Sequence, residues 1–293
     1  MTEQKTLLAL FAHPDDESFG PGGTLARYAA EGVAVHVIIA TDGIAGSVEE
    51  DMQAHVNGDG GDEQPNLAEI RAEELVNATK ALGVTGLWSL GYRDSGMRNT
   101  PDNEHPKALV QQPLDRLTSE IGEYIQRFQP EVVLTHDPYG GYGHPDHVRL
   151  CEATTAAFYM ARYQATDDES YMPQKLYYTS FSRSLLRLIV RVMRLVGQDP
   201  TAVGRNKDIN LVEISQWETP THAKINVKPY LDAKDVASRA HASQYSGGPS
   251  YLQIIPKRMR RSVTRLLLGM ESFMRAYPAP TSKIEQDLFE GVA

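Results

Sequence analysis

Two kinds of apolar spacing alternate along the chain. Residues 6–12 (TLLALFA) and 33–41 (VAVHVIIAT) are apolar, β-branched-rich runs of strand length. Between them GGTLARYAAEG reads as a helix closed by Gly32, which predicts parallel strands joined by a right-handed crossover. The alternation continues. Residues 65–83 carry apolar positions at helical spacing and end in glycine, and TGLWSLG (85–91) reads as a third strand. LDRLTSEIGEYIQRFQP (114–130) is a helix stopped at Pro130, and EVVLTHD (131–137) is a fourth strand. Past a connector at 164–174, QKLYYTSFS reads as a strand, SLLRLIVRVMRLVG (184–197) as a helix, and 222–240 as a strand followed by a helix. The predicted fold class is α/β: a Rossmann-like, mostly parallel sheet with helices on both faces and a C-terminal elaboration. Residues 1–165 form the core, and 166–293 are read as an elaboration of the same domain.

That pattern also says where a ligand belongs. In open parallel sheets ligands collect beyond the carboxyl ends of the strands, and His13 and His136 fall at the ends of the first and fourth. Just past the first strand the chain reads AHPDDE, with Asp15, Asp16 and Glu17 side by side at the end of a buried run. Repulsion and desolvation oppose such crowding unless a cation belongs among the carboxylates. Past the fourth strand comes THDPYGGYGHPDH (135–147), again rich in imidazole and carboxylate. Either cluster alone could be an acidic helix start favoured by the helix dipole. Two at equivalent strand ends point to a shared metal site. The mixture of nitrogen and oxygen donors suits zinc or a similar first-row divalent ion better than calcium or magnesium.

The spacing leaves the ligand set open. His13 and Asp16 lie three apart, as do His144 and His147, with Pro145 suited to a first helical turn. If all four bound, the site would be closed and structural, whereas a hydrolytic site needs three protein ligands and an open position. The spacing does not say which histidine would then be left over, and a free His144 beside the metal would be chemically useful. His36, His55, His105, His222 and His241 have no such company and read as surface or core residues, although His55, in the long loop, could meet substrate.

Composition narrows the function classes. The chain has 293 residues, 41% of them hydrophobic, and a net charge of −9. Residues 1–150 carry 24 acidic against 10 basic side chains, whereas 151–293 carry 14 against 19. Overall acidity argues against nucleic-acid binding. A lone cysteine, Cys151, excludes an intramolecular disulfide framework and fits a reducing cytoplasm, and the N-terminal apolar segment reads as a strand and not as a signal peptide. The long polar loop 43–64 contains NGDGGDE without the ligand spacing of a calcium loop. GPGGT after the first strand lacks the full dinucleotide fingerprint, and the carboxylates upstream would repel a pyrophosphate. Arginines recur at helical spacing at 183, 187, 191 and 194 and again at 258, 261 and 265, inside a stretch read as helical over 257–275. The preferred reading is a helix that packs its apolar face on the body and shows arginines to water; the alternatives are contact with a membrane surface or with a second copy of the chain in a homo-oligomer.

Together AHPDDE, the following GGTLARYAAEG and the GHPDH cluster resemble the LmbE-like, or PIG-L, family of zinc-dependent N-acetylglucosaminyl de-N-acetylases. The stretches GYRDSGM (91–97), DPYGGYGHPDHV (137–148) and LDAKDVASRAHASQY (231–245) look most like the deacetylases and amidases of mycothiol metabolism. The resemblance covers most of the chain, most densely over 7–150. It implies His13, Asp16 and His147 as ligands of Zn2+, Asp15 as general base, and His144 as the group that stabilises or protonates beside the metal. It also implies Asp146 as the partner of a ligand histidine, Tyr142 as a donor to the developing oxyanion, and Arg71 and Asp94 as contacts to sugar or inositol hydroxyls. The chain departs from the pattern at Ile44 and Ala45, where more acidic residues are expected. The implied activity is hydrolysis of an acetamide on a small N-acetylglucosaminide; the alternative is an amidase that cleaves a larger acyl group.

Overall fold

The computed structural model describes residues 4–47, 66–165, 171–181, 183–203, 209–245 and 268–292. Strand β1 (Thr6–Phe11) leads through two helices, α1 (Asp16–Phe19) and α2 (Gly22–Ala30), into β2 (Ala34–Thr41). Helix α3 (Leu67–Leu82), β3 (Gly86–Tyr92), α4 (Leu114–Phe128), β4 (Val132–Thr135), α5 (Pro145–Gln164) and β5 (Lys175–Ser180) continue the alternation. Then follow α6 (Arg183–Leu195), α7 (Leu211–Ile214), β6 (Ala223–Asn226), α8 (Leu231–Ala240) and β7 (Met270–Tyr277). The seven strands form one sheet in the order β3-β2-β1-β4-β5-β7-β6. The first five run parallel, and β7 lies antiparallel to both of its neighbours. This is the α/β architecture that the hydrophobic pattern predicts, with each shared strand placed to within about two residues.

The continuous apolar run of β1 has two jobs, because successive side chains face opposite sides of a strand. Leu7, Ala9 and Phe11 pack with Leu25 of α2, Leu75, Ala78 and Leu82 of α3, and Leu231 and Ala237 of α8. Leu8, Leu10 and Ala12 pack on the other face with Leu117, Ile121 and Ile125 of α4 and Leu150, Ala157 and Phe158 of α5. Helix α3 is well bounded: Asn66 and Glu69 form a reciprocal capping box, and Gly83 closes the helix in the left-handed region. From β1 the chain builds outward to β2 and β3, then returns to add β4 on the other side. The β1–β4 junction is therefore the point where the strand order reverses.

Two expectations need correction or limits. The stretch 257–275 does not continue as a helix to its end, because Met270–Tyr277 is a strand held between β5 and β6. Its partners are remote in sequence, so local arginine spacing carries no sign of them. The GPGG turn serves packing instead of a phosphate: the N–H groups of Gly23 and Thr24 donate to the Glu271 carboxylate of β7 at 3.0 and 2.7 Å. A Cβ on Gly23 would stand 2.7 Å from that of Val227, so only glycine admits this approach. Helix α6 follows the expected face in part. Val190 is buried and Arg187, Arg191 and Arg194 are exposed, but Arg183 is half-buried and donates to the Ile214 carbonyl, and Leu188 and Leu195 are 55% and 86% exposed. Basic side chains satisfy the last carbonyls of a helix, as Arg183 does for α7. His55, the NGDGGDE stretch and Arg258, Arg261 and Arg265 lie outside the described residues. Among the described residues no helix is long and apolar enough to cross a membrane.

Candidate active site

The site gathers beyond β1 and β4, where the strand order reverses. His13 to Asp16 form the turn into α1, and the Asp16 carboxylate accepts the His13 backbone N–H at 2.8 Å, which folds the turn back on itself. On the facing side His144 caps α5: its Nδ1 accepts from the Asp146 N–H at 3.2 Å, and Pro145 fills the first helical position. The first turn of α5 then projects Asp146 and His147 at the β1 end. Gly140 makes the preceding loop possible. It has φ 71°, and a Cβ there would lie 2.7 Å from the His144 carbonyl oxygen.

Three lone-pair atoms converge. His13 Nδ1 and His147 Nε2 are 3.1 Å apart, and they lie 3.4 and 3.3 Å respectively from Asp16 Oδ2. A tetrahedral zinc ion with ligands at about 2.0–2.1 Å has ligand–ligand edges of about 3.3 Å. The triangle has that size, and its donor set of two imidazole nitrogens and one carboxylate oxygen is a zinc-type set. The residues therefore fit such an ion and leave one coordination position without a protein ligand.

The next ring of contacts fixes the orientation of these side chains. His13 Nε2 lies 3.3 Å from Asp146 Oδ2 and 3.4 Å from Asp94 Oδ1, so both carboxylates favour the tautomer with its lone pair on Nδ1. Asp146 is itself held by Ser95, whose N–H donates at 2.9 Å and whose hydroxyl donates to Oδ1. Asp94 accepts from the Gly96 N–H at 2.8 Å. The RDSGM stretch thus reaches the partners of His13 as well as the cavity. His136, at the end of β4, stacks on His147 at 3.8 Å, and its Nε2 accepts the Ala12 N–H at 3.0 Å.

Charge is distributed unevenly. Burial works against ionisation of Asp16, yet His147 and His136 hold it well below the usual carboxylate range. Burial lowers His147 to about 4 and, with repulsion from His13 and His147, drives His144 well below the usual imidazole value. Asp15 moves the other way: desolvation pushes it up to about 7, against the attraction of Arg71. Arg71 is buried and donates to the Gly43 carbonyl at 2.6 Å, to the Pro14 carbonyl, and to Asp15 Oδ2 at 3.1 Å. It lines the cavity, but its Nη2 serves the turn that carries Asp15 and its Nη1 the loop after β2. The cavity, of about 220 Å³, is lined by His13, Asp15, Asp94, Tyr142 and His144, with Met97 and Gln244 among its other walls. Tyr142 is 36% exposed, with its ring 5.3 Å from that of His147.

Sequence reasoning left Ser95, His136, Gln244 and the Glu17–His241 contact without a role. Ser95 sits inside a motif quoted for its neighbour Asp94. His241 and Gln244 belong to the stretch 231–245, which carries a family likeness, but its approach to the site is tertiary and its individual contacts leave no local signal.

A parallel sheet with histidines and carboxylates converging at its reversal point, and a titrating carboxylate beside them, is the frame of a metal-centred α/β enzyme. The PIG-L family model, described as GlcNAc-PI de-N-acetylase, matches residues 8–158, and the chain belongs to that family. It is 34% identical over 297 residues to the 1D-myo-inositol 2-acetamido-2-deoxy-alpha-D-glucopyranoside deacetylase of Acidothermus cellulolyticus, covering 98% of this chain and 95% of that one. Among solved structures, N,N'-diacetylchitobiose deacetylase from Pyrococcus horikoshii superposes with a TM-score of 0.56 at 19% identity, over 93% of this chain and 84% of that one. GalB, the 4-carboxy-2-hydroxymuconate hydratase of Pseudomonas putida, superposes equally well, with a TM-score of 0.57 at 18% identity over 96% and 100% of the two chains. A deacetylase and a hydratase share this fold, so the fold alone does not choose the reaction.

Proposed function

We propose that this chain is a zinc-dependent hydrolase that removes the acetyl group from a small molecule containing N-acetylglucosamine. The observation that carries the reading is the 3.1–3.4 Å triangle of His13, Asp16 and His147 with Asp15 beside it. The near-full-length likeness to an inositol-linked glucosaminide deacetylase supports the substrate class.

Bound at the triangle, zinc supplies Lewis acidity toward the amide carbonyl and a water of lowered pKa. The chain's own residues do the rest. Asp15, raised to about 7, accepts the proton of the attacking water. Arg71 holds that carboxylate by its Oδ2 and leaves the other oxygen for the proton. His144 is neutral, and because its Nδ1 accepts from Asp146 N–H, its proton resides on Nε2. It donates that proton as a hydrogen bond to the negative charge developing on the amide oxygen. Tyr142, on the cavity wall, is a second donor for the same charge. Collapse breaks the carbon–nitrogen bond, and the proton held by Asp15 passes to the leaving amine, giving acetate and a free amino sugar. Asp94 and the rim beyond it face the remainder of the substrate.

Acetate release from a panel of N-acetylglucosaminides, including an inositol-linked member and conjugates with larger acyl groups, tests the reading. Release that chelation abolishes and zinc restores is the expected result. Cleavage of the larger acyl groups alone would replace it with the amidase alternative.

A further inference from the structure

The backbone of Asp15 stands at φ 125° and ψ −29°, a strained conformation for a residue with a side chain. Such strain persists only where the surroundings over-determine it. Part of the restraint is local: the Asp15 carbonyl accepts from the N–H groups of Ser18 and Phe19 at 3.0 and 2.8 Å. Part is Arg71, which ties the Pro14 carbonyl and the Asp15 carboxylate. The third restraint is Glu17, whose Oε2 accepts the Asp15 N–H at 2.9 Å.

Glu17 has no exposed surface, and its other oxygen accepts from the Ser18 hydroxyl at 2.5 Å. That same Oε1 lies 2.7 Å from Nε2 of His241, which is equally buried and stands just past the end of α8. A buried carboxylate needs a donor of this kind to offset its desolvation. The contact does more than fasten α8 to the body, because the turn after α8 has a separate anchor. The N–H and hydroxyl of Ser243 both donate to the Glu74 carboxylate at 2.7 Å, and neither touches Asp15.

We propose that Glu17 and His241 are a positioning pair for Asp15: His241 orients Glu17 through one carboxylate oxygen, and the other oxygen holds the Asp15 N–H and so aims the Asp15 side chain at the metal site. The C-terminal half of the chain thereby sets the geometry of the proton acceptor. This inference rests on the reading of Asp15 given above.

The test compares Glu17→Gln, His241→Leu and His241→Gln in the zinc-restored full chain, with Ser243→Ala as the control for a loosened turn. A glutamine at 17 has one carbonyl oxygen and cannot accept from both Asp15 and His241. It and His241→Leu are expected to lower kcat by about 10²-fold, the cost of a small misplacement, with KM and zinc stoichiometry unchanged. His241→Gln restores an N–H donor to Glu17 and recovers most of the loss. Ser243→Ala is expected to keep kcat within about twofold while lowering Tm. The second readout is the Asp15 amide resonance in protein labelled with nitrogen-15 aspartate, assigned by its loss in Asp15→Asn. It shifts in Glu17→Gln and His241→Leu and returns in His241→Gln. Values of kcat within about twofold of wild type in both disruptive variants would overturn the proposal. If the wild type cleaves no acetamide, the resonance decides alone: a shift supports the positioning pair, and an unmoved signal overturns it.

Discussion

Two buried clusters of charge lie at opposite ends of the parallel strands, and they are built differently. At the start of β5, Glu285 accepts from Lys175 and Arg275 on one carboxylate oxygen, at 2.7 and 2.6 Å, and from the Tyr177 hydroxyl on the other at 2.6 Å. Both of its oxygens are saturated by protein donors. Beyond β1 and β4 the balance is reversed. Asp15, Asp16, Asp94 and Asp146 converge with four histidines, and among the arginines and lysines described there, only Arg71 pairs with one of the four carboxylates. Three lone-pair atoms face one another at hydrogen-bonding distance with no basic side chain between them. The first cluster is a closed structural knot. The second is complementary to a cation that the protein itself does not supply. Burial and pairing alone do not mark a functional site; an uncompensated excess of acceptors does.

The comparison makes separable demands. The largest effect is on turnover: Asp15→Asn should lower kcat by about 10²–10⁴-fold while zinc content, by elemental analysis, stays at the wild-type stoichiometry. Near-normal turnover would remove Asp15 as the base. The knot should respond in stability instead. Glu285→Ala leaves Lys175 and Arg275 buried without their carboxylate and should cost about 3–5 kcal/mol in urea unfolding, with zinc stoichiometry unchanged in the folded fraction. A loss of zinc in that variant would blur the division between the clusters. Next, zinc at about a hundredfold excess over Kd should raise wild-type stability by about 2.7 kcal/mol, and His13→Ala should abolish that gain. Away from both clusters, Asn66→Ala removes the cap of α3 and should cost about 1 kcal/mol with kcat unaltered.

The smallest effect concerns pH. Burial disfavours a charged His241, but the bond and charge of Glu17, helped by Asp15 and Glu74, raise it above its ordinary value. Such a group contributes stability fully below the unfolded value of about 6.5 and loses that contribution as pH rises through the folded value. Unfolding free energies of metal-free wild type should therefore fall more steeply above about pH 6.5 than those of His241→Gln. Parallel slopes would show that His241 gains no proton on folding.

How far these features could be read from the chain depends on the range of the interactions that make them. The parallel strands and the helices between them were legible because each is specified by a run of neighbours: TLLALF, AVHVIIAT and the capped stretch 67–82. AHPDDE and GHPDH were legible as two clusters because each packs its donors within a few residues. The strand Met270–Tyr277 was not, since its pairing with β5 and β6 overrides an arginine spacing that reads as helix. The inward turn of Arg183 was hidden too, because its acceptors, the Ile214 carbonyl and the Thr219 hydroxyl, lie 31 and 36 residues further along the chain. Arg71 reads from the family pattern as a contact to sugar hydroxyls, while its hydrogen bonds go to Pro14, Gly43 and Asp15, contacts that no motif encodes.

The sequence by itself determined the α/β alternation, the strand ends at which chemistry would gather and the types of donor available there, because hydrophobic periodicity and short-range spacing are local properties. Only the tertiary structure brought His13, Asp16 and His147 to zinc-sized distances, set Asp15 beside them, and closed His241, 224 residues away, on Glu17. Those outcomes depend on tenths of an ångström between segments that meet only when the sheet closes its order at β1 and β4.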